Sequence, residues 1–94
     1  MTITKQVTFI AKVDGIEKMK ELLITMVKAS QAEEGCLFYH ICQLKVEPRK
    51  FVVLESWKDD AALDFHKNSA HYKYYKTNFE PFCEEKTFDD LEVL

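Results

Sequence analysis

The first third of the chain changes from a two-residue repeat of hydrophobic positions to a helical one. Over residues 3–13 the apolar side chains alternate with polar ones, which predicts a β-strand. The apolar face of this strand consists of Ile3, Val7, Phe9, Ala11 and Val13. From Ile16 to Val27 apolar residues recur at intervals of three and four, which predicts an amphipathic helix. Asp14, three residues before Glu17, has the spacing of a capping box, and we expect Gly35 to end the helix in the left-handed conformation.

Two segments rich in aromatic and β-branched residues follow, at 36–44 and 51–57. The turn residues 46–50 lie between them, so the pair predicts a β-hairpin. The second segment is apolar on both faces, with Phe51, Val53 and Trp57 on one and Val52 and Leu54 on the other. A sheet with one solvated face should alternate cleanly. We therefore expect both faces to be covered, one by helices and the other by a second copy of the chain in a homodimer.

Two short helices and a last strand are predicted after the hairpin. Asp59 or Asp60 can cap a helix over 60–67, and Ser69 can cap another from about residue 70. Pro81 should end or kink that second helix, because proline lacks the N–H and clashes with the preceding turn.

Residues 86–93 are expected to form the final strand. The order is then β-α-β-β-α-α-β, which is a ferredoxin-like α+β fold with a four-stranded antiparallel sheet. The 94 residues make a single domain, 1–94.

Composition narrows the classes of partner. A net charge of -3 argues against a nucleic-acid surface, and no apolar run approaches the roughly 18 residues of a membrane span. The N-terminus lacks the charged start and apolar block of a signal peptide, and the three cysteines form no Cys-x-x-Cys pair. We expect a cytoplasmic protein with reduced thiols, without a nucleic-acid or membrane partner.

The segment 55–71 gathers the candidate chemistry: one carboxylate, one indole and two imidazoles, at Glu55, Trp57, His66 and His71. That composition is typical of a site for a small-molecule substrate. Its pattern, with the lead-in Glu34-Gly35-Cys36-Leu37-Phe38-Tyr39, resembles the antibiotic biosynthesis monooxygenase family over nearly the whole chain. The residues that carry the resemblance are Phe51, Glu55, Trp57, Ala62, Leu63, His66, Ser69 and His71.

The resemblance implies a sheet-to-sheet homodimer, a dimeric α+β barrel. It also implies a cofactor-independent monooxygenase that uses molecular oxygen on an electron-rich aromatic or quinol-like molecule. Because the family includes an isomerase of a bacterial signalling sugar, isomerisation of a small phosphorylated keto-sugar remains an alternative. A non-catalytic module that only binds a small molecule is a third.

His66 is the first candidate for a catalytic base. On a helical wheel it lies in the arc formed by Ala61, Phe65, Ala62 and Leu63, and so it points inward. A lone buried histidine is more often a satisfied core group, but Glu55 and Trp57 lie nearby and the family resemblance favours catalysis. We expect Phe65, together with Trp57, to contact substrate and exclude water.

His71 and Glu55 complete the predicted catalytic set. His71 falls near the second position of its helix, where the helix dipole favours a neutral imidazole that can accept a proton or donate to an oxyanion; a capping or surface role is equally open. Glu55 shares an apolar strand face and needs a partner. We expect it to orient His66 or His71 or to act as a base, with a salt bridge at the strand end as the alternative.

Tyr39 is a second candidate for substrate binding, after Trp57, whose flat indole suits a planar substrate. If the hairpin pairs odd with odd positions, Tyr39 stands beside Glu55 and His40 faces the dimer interface; the sequence leaves open which of the two faces the cavity. With two glycines, no Gly-x-Gly-x-x-Gly or P-loop motif is possible, so we expect no cofactor. The two-histidine, one-carboxylate set that could hold a metal is interrupted by a helix break, and we expect none.

Overall fold

The computed structural model describes residues 1–94 and contains four strands, three α-helices and one 3₁₀ turn. In chain order they are β1 (Ile3–Ala11), α1 (Ile16–Gln31), β2 (Cys36–Gln43), β3 (Lys50–Trp57), α2 (Asp60–Lys67), α3 (Ala70–Asn78), the 3₁₀ turn (Glu80–Phe82) and β4 (Cys83–Leu91). The predicted β-α-β-β-α-α-β order and the ferredoxin-like α+β class are confirmed.

The sheet is antiparallel with the order β2-β3-β1-β4, so β1 is paired on both sides. Phe9 stands opposite Phe51 of β3 and Lys86 of β4. Because directly opposite residues share a face, one face presents an apolar surface to the helices. The largest fully buried side chains, among them Trp57 and Met19, lie in this layer between helices and sheet.

The ends of α1 differ from the sequence prediction. Asp14 does not cap the helix: the residue at the N-cap is Gly15, and no side chain accepts a hydrogen bond there. The helix ends at Gln31, and Gly35 does not adopt a positive φ. A Cβ on Gly35 would lie 2.3 Å from Cβ of Ala62. The glycine is therefore needed for close packing of the α1–β2 loop on α2 rather than for a left-handed turn.

The two short helices begin where their capping residues predict. Asp59, the first of the two aspartates considered, accepts a hydrogen bond from the backbone N–H of Ala62 at 2.8 Å. Ser69 accepts one from the N–H of Tyr72 at 3.2 Å. The chain leaves α3 before Pro81, as predicted, but β4 begins at residue 83, ahead of the expected 86.

The sheet face away from the helices is only partly apolar. It carries the half-buried side chains of Ile10, Phe38, Val52 and Leu54 together with polar residues such as Gln6. A homodimer through this face stays a prediction. No helix of the chain is long and apolar enough to cross a membrane.

Candidate active site

A cavity of about 170 Å³ lies between the helices and the sheet. Its apolar walls come from α1, the strands and α2, and include Val7, Leu23, Met26, Val53 and Leu63. Its polar lining comes from Lys5, Tyr39, Glu55, His66, Lys67, Tyr72, Tyr75 and Lys86. A mostly apolar pocket with a few convergent polar groups is the usual form of a small-molecule site.

His66 faces this cavity from α2 and is 1% exposed. Its ring packs against the Trp57 indole with centroids 4.3 Å apart, and the Tyr72 ring meets it edge-on at 5.2 Å. The inward orientation expected from the helical wheel is therefore present. Its catalytic role stays a prediction.

Glu33, which was not among the sequence-predicted residues, holds both histidines. Its Oε2 accepts a hydrogen bond from Nδ1 of His66 at 2.6 Å and another from Nε2 of His71 at 2.7 Å. The Glu33 side chain is 6% exposed, and its Oε1 is buried without a protein partner. Because a carboxylate oxygen can only accept, the two imidazole nitrogens that contact it carry hydrogen. His66 is thereby left with Nε2 as the ring nitrogen without a protein partner.

The α1–β2 loop delivers Glu33 to this position. Cys36 N–H donates to the Glu33 carbonyl at 3.0 Å, and Lys58 N–H donates to the Gly35 carbonyl at 2.9 Å. Together with the contact between Gly35 and Ala62, these bonds fix the loop against α2. Glu33 lies two positions before Gly35, and the family resemblance already included that glycine. An acidic residue at this spacing was the signal in the sequence that could have indicated Glu33.

Glu55 does not orient either histidine, contrary to the sequence expectation. Its Oε1 accepts a hydrogen bond from Nε1 of Trp57 at 2.9 Å, and its side chain lines the cavity. Residues two apart on a strand share a face, so the indole N–H is the nearest donor. The buried carboxylate is thus satisfied locally, and Glu33 takes the orienting position instead.

Phe65 does not line the cavity and is 69% exposed. Ala62 and Leu63 lie about 40° and 60° to either side of His66 around α2, whereas Phe65 lies about 100° away. The covered arc of the helix is therefore narrower than the one predicted.

Trp57 is 0% exposed and packs on His66, but it is not part of the cavity wall. His71 contacts the site through Glu33 and also lies outside the wall.

Tyr39 lines the cavity, and His40 points to the opposite face, where it is exposed. Tyr39 pairs with Glu55 in the register of β2 and β3, which is the odd-with-odd pairing considered from the sequence. Burial and then the charge of Glu55 raise the pKa of Tyr39, so its hydroxyl is neutral at physiological pH.

The break between α2 and α3 brings the two histidines together rather than apart. Their ring centroids are 5.6 Å apart, and the ligand atoms of Glu33, His66 and His71 all lie within 4.8 Å of one another. The helix break therefore does not keep the two histidines apart, contrary to the expectation from the sequence. Tetrahedral donors around a metal at 2.0–2.1 Å stand roughly 3.3 Å from one another. The separations of 2.6 and 2.7 Å fit hydrogen bonds as they stand.

Comparison with known proteins gives one family and many similar structures. The profile of a family described as antibiotic biosynthesis monooxygenase matches residues 2–78. YcnE of Bacillus subtilis, which carries the provisional name of a monooxygenase, is 42% identical over 60 residues, 61% of this chain and 63% of YcnE. The chain thus spans slightly less than two thirds of that relative.

Two solved structures cover essentially the whole chain. PA3566 from Pseudomonas aeruginosa is 31% identical with a TM-score of 0.94, over 99% of this chain and 94% of that one. A protein from Nitrosomonas europaea, provisionally named an antibiotic biosynthesis monooxygenase, is 25% identical with a TM-score of 0.92, over 100% of this chain and 99% of that one.

Proposed function

The chain belongs to the antibiotic biosynthesis monooxygenase family, and from that premise we propose that it is a cofactor-independent monooxygenase of an electron-rich aromatic or quinol-like molecule. The observation that carries the proposal is the Glu33–His66 pair. His66 lines the cavity while its Nδ1 is held at 2.6 Å by a buried carboxylate, so that Nε2 can serve as a base.

The arrangement supports proton removal from a phenol or enol. Once Nε2 of His66 accepts the proton, the ring becomes an imidazolium, and the buried carboxylate of Glu33 stabilises that charge. Glu33 also fixes the tautomer of His66, as the aspartate does in a serine protease triad. His71, which donates to the same carboxylate oxygen, acts as a positioning residue.

Loss of the proton makes the substrate itself the reductant. The anion gives one electron to O₂, and the substrate radical and superoxide then combine to form a C–O bond. The resulting peroxide anion takes the proton back from Nε2 of His66 and becomes a hydroperoxide. Where the carbon that carries the hydroperoxide also carries a hydrogen, elimination from that carbon yields a carbonyl and one molecule of water. One oxygen atom enters the product, the other leaves as water, and the substrate supplies both electrons.

The cavity walls suit a planar aromatic guest. Tyr39, Tyr72 and Tyr75 line it, and the indole of Trp57 braces the base from behind. Two neutral tyrosine hydroxyls can donate to an oxyanion, since burial raises the pKa of Tyr39 and of Tyr75.

A homodimer is part of the same proposal. The half-buried apolar residues on the helix-free sheet face, Ile10, Phe38, Val52 and Leu54, support packing against a second copy of the chain. Each subunit would retain its own complete cavity, because the lining described above comes from one chain.

Oxygen uptake tests the proposal. Purified protein treated with a chelator is mixed with a panel of hydroquinones and polyphenols in an oxygen electrode, and His66→Gln is compared with wild type. Lys73→Gln serves as the control, because Lys73 is exposed on α3, away from the cavity lining and from the proposed dimer face. Uptake above autoxidation that His66→Gln loses and Lys73→Gln keeps supports the base. Equal uptake in all three proteins would refute it.

A further inference from the structure

Lys86 occupies an unusual place on the cavity wall. It lies in β4 opposite Phe9, on the face that packs against the helices. Its Nζ lies 4.8 Å from the ring centroids of Phe79 and Phe88, 5.1 Å from that of Tyr75 and 5.5 Å from that of Phe9. The aromatic rings attract the ammonium electrostatically, and they hold it at the cavity.

The ammonium of Lys86 has no carboxylate partner. It forms no salt bridge, and the single hydrogen bond it makes to the protein is donated to the Tyr75 hydroxyl. An ammonium has three donors, so two remain available. Partly burying a cation without a counter-charge is costly. Burial, followed by the nearby charge of Lys76, lowers the pKa of Lys86 to about 8, while Cys83 and Glu55 oppose the shift.

Lys76 approaches the same place from α3. Its Nζ lies 5.7 Å from the Phe79 ring, against which Lys86 also packs. Lys76 has no carboxylate partner either. Two neighbouring ammonium groups that repel each other are stabilised when an anion is bound near them.

His66 and Lys86 stand at opposite ends of one row of aromatic side chains. The rings of His66 and Tyr72 are 5.2 Å apart, and those of Tyr72 and Tyr75 are 5.5 Å apart. Lys86 then donates to the Tyr75 hydroxyl. A continuous row of aromatic side chains on the cavity wall therefore joins His66 to the ammonium of Lys86.

We propose that Lys86 binds an anionic oxygen group of the substrate, a carboxylate or a phosphate, while the aromatic part of the substrate extends toward His66. This specificity role rests on the proposed function, because it assumes that the cavity is the substrate site. Lys76 adds long-range attraction at the same end. The substrate class narrows to hydroquinones or phenols that carry a negatively charged substituent.

The test is calorimetric binding under nitrogen at pH 7, where no turnover occurs. Three ligands share one ring: hydroquinone, 2,5-dihydroxybenzoate and hydroquinone monophosphate. Wild type should bind at least one of the two anionic ligands about tenfold or more tightly than hydroquinone, as expected for a charge-assisted hydrogen bond. The carboxylate and phosphate arms show which anion fits.

Lys86→Gln should lose that preference, measured as the ratio of the two affinities, whereas Lys86→Arg should keep part of it. Lys73→Gln, which removes an exposed charge from α3, is the matched control and should keep the full preference. The preference should also weaken as pH rises through about 8, because binding then requires protonation of Lys86. Equal affinity for all three ligands, no binding of either anion, or an unchanged preference in Lys86→Gln would overturn the assignment.

A second measurement on wild type covers the case in which Lys86→Gln does not fold. Limited acetylation at pH 8, read by mass spectrometry, should modify Lys86, and 2,5-dihydroxybenzoate or inorganic phosphate should protect it but not Lys73. Absence of protection by both probes contradicts the proposal. Because these measurements need no oxygen, a protein that shows no oxygen uptake can still show the anion preference, and the two proposals fail separately.

Discussion

Replacing Glu33 with glutamine removes one charge from the site and changes little else. The carboxylate accepts hydrogen bonds from His66 at 2.6 Å and from His71 at 2.7 Å, both on Oε2. The amide of glutamine keeps one oxygen, which in the place of Oε2 can accept both bonds but without the negative charge, while its NH₂ group takes the buried place of Oε1, where it has no acceptor. We expect the variant to fold, with both hydrogen bonds weakened because their acceptor is neutral.

The energetic effect follows from those contacts. A hydrogen bond to a charged group contributes about 1.5–3 kcal/mol and one between neutral groups about 0.5–1.5 kcal/mol, so weakening both bonds lowers the free energy of unfolding by about 2 kcal/mol. Domains of this kind are stable by about 5–15 kcal/mol, so most of the protein should remain folded. Catalysis should suffer more, because the imidazolium formed at His66 loses its counter-charge. We expect kcat to fall by about 10²-fold or more, within the range that a general base contributes.

Oxygen uptake with the best hydroquinone from the panel gives kcat, and urea unfolding gives the stability. Glu34→Gln is the matched control, since it removes an adjacent but exposed carboxylate. Glu33 has neither the structural nor the catalytic role described if Glu33→Gln behaves like Glu34→Gln in both assays. A loss of stability without a loss of kcat would leave Glu33 a structural residue only.

Three further predictions concern the packing, the pH dependence and the assembly. Gly35→Ala places a Cβ 2.3 Å from that of Ala62 and should lower the free energy of unfolding, measured with urea, by about 1–3 kcal/mol. The double variant Gly35→Ala, Ala62→Gly should recover part of that loss of stability. If the losses of the two single variants simply add in the double variant, the contact is contradicted. Because burial and Glu55 raise the pKa of Tyr39, the native state holds a proton that the unfolded state releases above about pH 10. The free energy of unfolding should therefore fall as the pH rises above that value, and it should fall less in Tyr39→Phe. Urea unfolding at a series of pH values measures this, and identical profiles for wild type and Tyr39→Phe would contradict the prediction. Leu54→Lys, on the helix-free sheet face, should convert the proposed dimer to a monomer in sedimentation equilibrium, and a wild-type monomer would refute the dimer.

The fold was largely predictable because its signals are local. Alternation in β1, the caps at Asp59 and Ser69 and the hairpin between β2 and β3 each depend on neighbouring residues. The alternation in β2 did not decide between Tyr39 and His40, and the pairing of Tyr39 with Glu55 was one of the registers that the sequence left open. The ends of α1 were not predictable, because Gly35 serves a contact with a distant helix rather than the local turn that a glycine there usually indicates.

The site was predictable only in part. The inward position of His66 follows from helical spacing, but the width of the buried arc depends on which elements cover α2, and for that reason Phe65 was misplaced. Glu33 lies in a loop with no periodicity, so its convergence on two histidines depends on tertiary structure. Lys86 lies within the strand expected over 86–93, but its place opposite Phe9 on the face toward the helices depends on the register between β4 and β1, which no local pattern indicates.

The break between α2 and α3 is what allows one carboxylate to hold both histidines. In an uninterrupted helix, five residues separate His66 from His71 by about 500° of rotation, or about 140° around the axis. The two rings would then face different sides. In the structure, Ser69 interrupts the helix between the two histidines. Its hydroxyl donates to the His66 carbonyl at 2.6 Å, accepts from Tyr72 N–H and lies 3.2 Å from Nε2 of His71. The chain therefore restarts as α3 with His71 turned back toward Glu33, so the interruption that argued against a metal site is the feature that brings both histidines to one carboxylate.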